Sequence, residues 1–125
     1  MSSFLDASGL TYLWGKIKTL VSNKADKIQE VNHGTSDTTF TLTPNVMHIW
    51  GSVTSLNLTL ATPADSTIVN EYMIQFTSGT TATTLSLPSS VEWAESCGSL
   101  SVEANKTYQI SIVNNIGLWA AISNS

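Results

Sequence analysis

Arginine is absent from this chain, and five lysines supply its whole cationic complement. Four of them fall between Lys16 and Lys27, so no basic groove is available to follow a phosphate backbone, and a net charge of −4 works against nucleic acid altogether. Those lysines alternate with apolar positions and are interrupted by Asp26 and Glu30, the pattern of a solvated helix face rather than of a membrane-binding patch. A single cysteine, Cys97, excludes both an intramolecular disulfide and a cysteine-based zinc site. No apolar run approaches the ~20 residues needed to span a bilayer. The opening Met1-Ser2-Ser3-Phe4-Leu5-Asp6 lacks the basic and apolar regions of a secretory signal, so synthesis in a cytoplasm without cleavable export is expected.

Chemistry-bearing groups are equally sparse. Charged residues make up 11% of the chain, less than half the usual ~25%. The two histidines, His33 and His48, stand apart with no cysteine or paired carboxylate beside them, which does not describe a metal site. Glu92 and Glu95 flank Trp93 between Pro88 and Gly98, in a stretch that reads as a solvated loop rather than a glycosidase dyad. No serine sits in a G-x-S-x-G elbow, and no phosphate-binding, dinucleotide or calcium loop is present. Cys97 has no histidine beside it and no base nearer than Lys106. The reading is a non-enzymatic protein without catalytic, cofactor-binding or metal residues.

Hydroxyl groups take the place of charge: 18 Ser and 17 Thr among 125 residues, with 42% hydrophobic residues to form a core. Threonine and other β-branched residues suit a pleated, half-exposed surface, so the composition is β-rich rather than disordered. Two periodicities divide the chain. Up to Val31, apolar residues fall at Leu10, Leu13, Trp14, Ile17, Leu20, Val21, Ile28 and Val31, the three-four spacing of a helix with Asp6 or Ser8 as N-cap. The apolar stripe is broad and spans about three heptads, which predicts a short, three-stranded coiled coil over roughly residues 9–31. Leu10, Leu13, Ile17, Leu20, Val21 and Ile28 are its candidate oligomerisation residues. Asn32-His33-Gly34-Thr35-Ser36-Asp37 reads as a linker.

Beyond residue 37 the period becomes two. Phe40 and Leu42, then Leu56, Leu58 and Leu60, then Tyr72, Ile74 and Phe76 alternate with polar neighbours. Leu85 and Leu87, then Tyr108, Ile110 and Ile112, and finally Leu118 and Ile122 complete the expected core. Turn residues separate the runs, and Asn114-Asn115 marks a hairpin before the last one. Seven to nine short strands at this spacing predict an antiparallel β-sandwich or jelly-roll-like domain over residues 38–125. The expected organisation is therefore an anchor and oligomerisation segment over 1–31, a linker over 32–37 and the β-domain. Of four tryptophans, Trp50, Trp93 and Trp119 belong to the β-half, where exposed indoles could stack on a glycan or receptor.

The segment Phe4-Leu5-Asp6-Ala7-Ser8-Gly9-Leu10-Thr11-Tyr12-Leu13-Trp14-Gly15-Lys16-Ile17-Lys18 resembles the opening of many bacteriophage and prophage tail or fibre proteins. The β-half resembles a domain found with them, through Asn70 to Gly79, Leu87-Pro88 to Trp93, and Lys106 to Gly117 with Trp119. The resemblance implies a virion component, often trimeric: a head fibre, capsid decoration or tail-fibre part. It brings no active-site residues with it. The segment before and into the first helix carries more apolar surface than one helix face can bury, so Phe4, Leu5, Tyr12 and Trp14 are candidate contacts to a capsid or tail subunit. A carbohydrate- or host-receptor-binding module of a phage adhesion apparatus is the alternative function, with Trp50, Trp93 and Trp119 as its contacts.

Overall fold

A computed structural model of the chain describes residues 28–124, and these are all β-structure. Nine strands follow one another: β1 Gln29–His33, β2 Thr39–Leu42, β3 Val46–Ser52, β4 Ser55–Leu60, β5 Glu71–Ser78, β6 Thr84–Ser86, β7 Glu92–Trp93, β8 Lys106–Val113 and β9 Ile116–Ser123. They form a six-stranded sheet in the order β1-β3-β5-β8-β9-β7 and a three-stranded sheet in the order β2-β4-β6.

Up to β6 the chain alternates between the two sheets, and each strand returns to lie parallel to the strand two before it. Gln29 pairs with Val46 and Thr39 with Asn57, so the first turn of this flattened coil advances 17 and 18 residues in its two sheets. The next turn is longer: Met47 pairs with Met73 and Ser55 with Thr84, offsets of 26 and 29 residues. The coil then gives way to an antiparallel hairpin, β8-β9, which continues the larger sheet beside β5. A two-residue turn, Asn114-Asn115, joins its strands with both residues at positive φ (52° and 63°). That is the backbone whose twist matches a tight hairpin, and asparagine tolerates it better than most residues.

Three expectations are corrected. The antiparallel sandwich is instead a mixed structure, because β1, β3 and β5, β2, β4 and β6, and β7 with β9 all pair in parallel. Alternating hydrophobicity reports which face is buried and is blind to strand direction. Residues 29–31, expected to end a helix, belong to β1, and Asn32 and His33 extend that strand into the expected linker. Ile28 and Val31 fit a three-residue helical spacing, but Val31 pairs with His48 of β3, and that pairing decides its conformation. The helix and coiled coil over residues 9–27 lie outside the described residues, and no helix occurs among residues 28–124.

The third correction concerns the last strand. Ile110 pairs with Trp119, and opposed residues share a face, so Trp119 and Ala121 turn inward while Leu118 and Ile122 turn outward. Those two, expected in the core, are 50% and 70% exposed. The remaining expected positions do build the core: Leu42, Leu56, Leu58, Tyr72, Ile74, Phe76, Tyr108, Ile110 and Ile112 are buried between the sheets. Phe40, Leu60, Leu85 and Leu87 pack against them half-buried.

Candidate functional site

Two features stand out: a polar cluster in the first turn of the coil and the outward face of the larger sheet, where Ile116, Leu118 and Ile122 are exposed. The cluster is assembled by strand register. His33 of β1 sits beside Trp50 of β3, and the two rings stack at 4.1 Å with 11° between their planes. Phe40 meets His33 edge-on at 4.4 Å from β2 in the opposite sheet. His33 Nδ1 lies 2.7 Å from Asp37 Oδ2, its Nε2 lies 2.9 Å from His48 Nδ1, and His48 Nε2 lies 3.1 Å from Thr43 Oγ1 and 3.3 Å from the Thr43 nitrogen. The Trp50 indole N–H donates to the Asp37 carbonyl at 2.6 Å.

Proton counting gives this line of groups a definite arrangement. With one proton on each imidazole, His33 donates to the carboxylate, His48 donates to His33, and Thr43 donates to His48. Every buried polar atom is then satisfied, and among the described residues no buried side-chain nitrogen or oxygen lacks a partner. Burial pushes the pKa of His48 down; the Thr43 carbonyl, 3.3 Å from His48 Nε2, acts the other way, and the neighbouring His33 adds to the depression. The groups bond to one another in series instead of turning toward a common point. Among the described residues no set of three such side chains could hold a metal ion. What the cluster can do chemically is lock β1, β2 and β3 together as long as His48 stays neutral.

In the sequence the histidines are isolated, fifteen positions apart. One turn of the coil removes that separation, since a 17-residue offset places His33 next to Trp50, two residues from His48 on the same face. The signal available in the sequence was that offset between two short segments, too brief to register as a repeat.

The tryptophans do not form one concave patch. Trp50 is 1% exposed inside the core, so it has no surface to offer a glycan. Trp93 and Trp119 lie at the other side of the larger sheet, both half-buried. Trp119 donates its indole N–H to the Gly98 carbonyl at 3.0 Å. Trp93 packs over Gly117, where a Cβ would come within 2.8 Å of its ring, and borders a hollow of about 380 Å³ with Leu85, Leu87, Val91, Leu100 and Val102. Ile28, the one candidate oligomerisation residue inside the described region, is 56% exposed. Leu10, Leu13, Ile17, Leu20 and Val21, and the attachment candidates Phe4, Leu5, Tyr12 and Trp14, lie outside it.

The outward face of the six-stranded sheet is a grid whose rows run across β3, β5, β8 and β9. One row holds Met47, Met73, Ser111 and Leu118, and the next holds Ile49, Gln75, Gln109 and Ala120. Thr77, Thr107 and Ile122 extend it at one end and Glu71, Val113 and Ile116 at the other. Across the β5–β8 seam the polar side chains pair among themselves: Gln109 Nε2 donates to Gln75 Oε1 at 2.8 Å, Thr77 and Thr107 hydroxyls meet at 3.2 Å, and the Ser111 hydroxyl donates to Glu71. The β9 side chains are left protruding. Comparison with known proteins gives no match, whether to a family model, a curated protein or a solved structure.

Proposed function

We propose that this chain is a non-enzymatic structural component of a bacteriophage particle, a head-fibre, capsid-decoration or tail-fibre part. In this reading it is a homotrimer located in the virion, attached to a capsid or tail protein through residues 1–14, with the C-terminal β-domain projecting outward. It needs no cofactor, and nucleic acid and membrane insertion play no part. The observation that carries the reading is the exposed apolar row Ile116, Leu118 and Ile122 on a sheet whose other face is already a complete core. Contiguous exposed apolar surface of that kind marks protein–protein contact. The resemblance of Phe4 to Lys18 to phage fibre openings supports the choice of assembly.

A glycan- or receptor-binding reading draws on one observation, the hollow beside Trp93. Aliphatic side chains, Trp93 and the hydroxyls of Thr83 and Ser89 line it, with no carboxylate or side-chain amide to bind the hydroxyl-rich edge of a sugar. Mass spectrometry of gradient-purified particles tests the structural reading: the chain should co-purify at a fixed ratio to the major capsid protein. Deleting residues 2–8 should abolish that co-purification while the protein still self-associates. Absence from purified particles would overturn the assignment, and glycan-array binding abolished by Trp93→Ala would favour the second reading.

A further inference from the structure

We propose that Asp37, His33, His48 and Thr43 form a one-proton switch: acid charges His33, while His48 stays neutral but passes from its Nδ1–H to its Nε2–H tautomer. Strand β1 is what the switch holds. Its residues Gln29 to Asn32 are exposed, and His33 alone is half-buried.

The distances permit two arrangements of hydrogen along the same line of atoms. In the first, His33 Nδ1 donates to Asp37 at 2.7 Å and His48 Nδ1 donates to His33 Nε2 at 2.9 Å. His48 Nε2 then accepts from the Thr43 backbone N–H at 3.3 Å. In the second, both nitrogens of His33 donate, His48 Nδ1 accepts, and His48 Nε2 donates to Thr43. The Thr43 hydroxyl oxygen lies 3.1 Å from that nitrogen and its carbonyl oxygen 3.3 Å. Thr43 serves both arrangements because it presents donors and acceptors at one point. In the second its N–H, on an exposed residue, is left to water.

The two arrangements differ by one proton. The hydrogen on His48 Nδ1 passes to His33 Nε2, and the proton taken from solvent ends on His48 Nε2. The cation is then His33, 2.7 Å from the Asp37 carboxylate. Left on His48, the charge would be buried with only Thr43 and a neutral ring beside it, and a buried charge is costly without a counterion.

Among the described residues, the elements around His48 present one ionisable group, His33 of β1. Strand β2 offers Phe40, the β2–β3 turn Thr43, and β5 Ile74. Around His33 stand Trp50, Phe40 and, from the β1–β2 connection, the one carboxylate, Asp37. A second added proton has no place in this line, because two N–H groups would then oppose each other across 2.9 Å. The latched cluster holds one added proton, and the cluster with β1 released holds two. Release of β1 should therefore grow about tenfold per pH unit below the ordinary histidine range, where a cluster admitting no proton would give about a hundredfold.

Long-range proton–nitrogen correlation spectra of the full chain, recorded from about pH 8 to about pH 5, test this. The chain has two histidines, and each ring nitrogen reports its own hydrogen. As the first ring charges, His48 should exchange a hydrogen-bearing Nδ1 for a hydrogen-bearing Nε2 at the same midpoint. The Thr43 amide proton, losing its acceptor, should shift with it. In His33→Phe, which keeps a ring between Phe40 and Trp50, the Thr43 amide should show no transition at that midpoint. If this variant does not fold, the wild-type spectra decide alone. A Thr43 transition that survives in the folded variant would overturn the proposal. So would His48 charging first, His48 keeping its Nδ1–H while His33 charges, both rings charging together, or unfolding before either ring charges.

Discussion

Acid should destabilise this fold through His48, and the size of the effect follows from its surroundings. His48 is 1% exposed, and its Nδ1 faces His33 Nε2 at 2.9 Å. If both rings carried two protons, two N–H groups would point at each other across that distance. Burial, and to a smaller extent this neighbour, hold the His48 pKa below its ordinary 6.5 in the folded chain, against the opposing pull of the Thr43 carbonyl. The unfolded chain takes up a proton on this ring near pH 6.5, and the folded chain does so only at lower pH. Between those points the unfolded state binds more protons, so stability is fully present above pH 6.5 and declines as pH falls below it. One proton corresponds to about 1.4 kcal/mol per pH unit, so going from pH 7.5 to 5.5 should remove up to about 1.4 kcal/mol. Ordinary carboxylates titrate near pH 4, outside this window.

The assay is urea denaturation at fixed protein concentration across that range. With a slope of ~1–3 kcal/mol per molar urea, the midpoint should drop, by at most about 0.5–1.4 M. His48→Phe keeps an aromatic ring beside Phe40 and Trp50 but removes the titrating group. At pH 7.5 it should be less stable by about 1–3 kcal/mol, because the His33 ring and Thr43 N–H lose their partner. Its midpoint should also vary less with pH than that of the wild type. A wild-type midpoint that is flat from pH 7.5 to 5.5, or a variant that falls as steeply, would refute the reasoning.

Other perturbations probe separate parts of the fold. Gly117→Ala places a Cβ 2.8 Å from the Trp93 ring, so it should cost about 1–3 kcal/mol in thermal or urea unfolding and alter Trp93 fluorescence. Asn115→Gly relieves the positive φ of the β8–β9 turn and should raise the melting temperature, whereas Asn115→Val should cost about 1–2 kcal/mol. Tyr108→Phe orphans the Glu103 N–H, which donates to the phenol oxygen at 2.7 Å, and chemical denaturation should register a loss of about 1 kcal/mol.

Much of the inward face was legible because alternation in Leu56-Asn57-Leu58-Thr59-Leu60 and Tyr72 to Phe76 identifies which side is buried without reference to partners. Strand direction was not, because a parallel return after a crossover and an antiparallel return after a turn leave the same alternation. Strand β1 was misread since Gln-Glu-Val-Asn-His has one apolar residue, and its conformation comes from pairing with β3 and from the His33–Trp50 stack. Strand β9 defeated the pattern for the opposite reason: Leu118, Trp119, Ala120, Ala121 and Ile122 are apolar on both faces. Such a strand has no polar side to betray its orientation, and that ambiguity concealed the candidate assembly face. The His33–His48–Asp37 cluster was hidden because only the coil's first turn brings its members together.

The central claim is that the chain is a part of a phage particle, and direct localisation tests it best. Electron cryo-microscopy of purified particles, compared with particles lacking this chain, should reveal extra density at symmetry-related sites on the head or tail. That density should accommodate several copies, with residues 1–14 against the particle and the β-domains outward. Identical reconstructions with and without the chain would contradict the account.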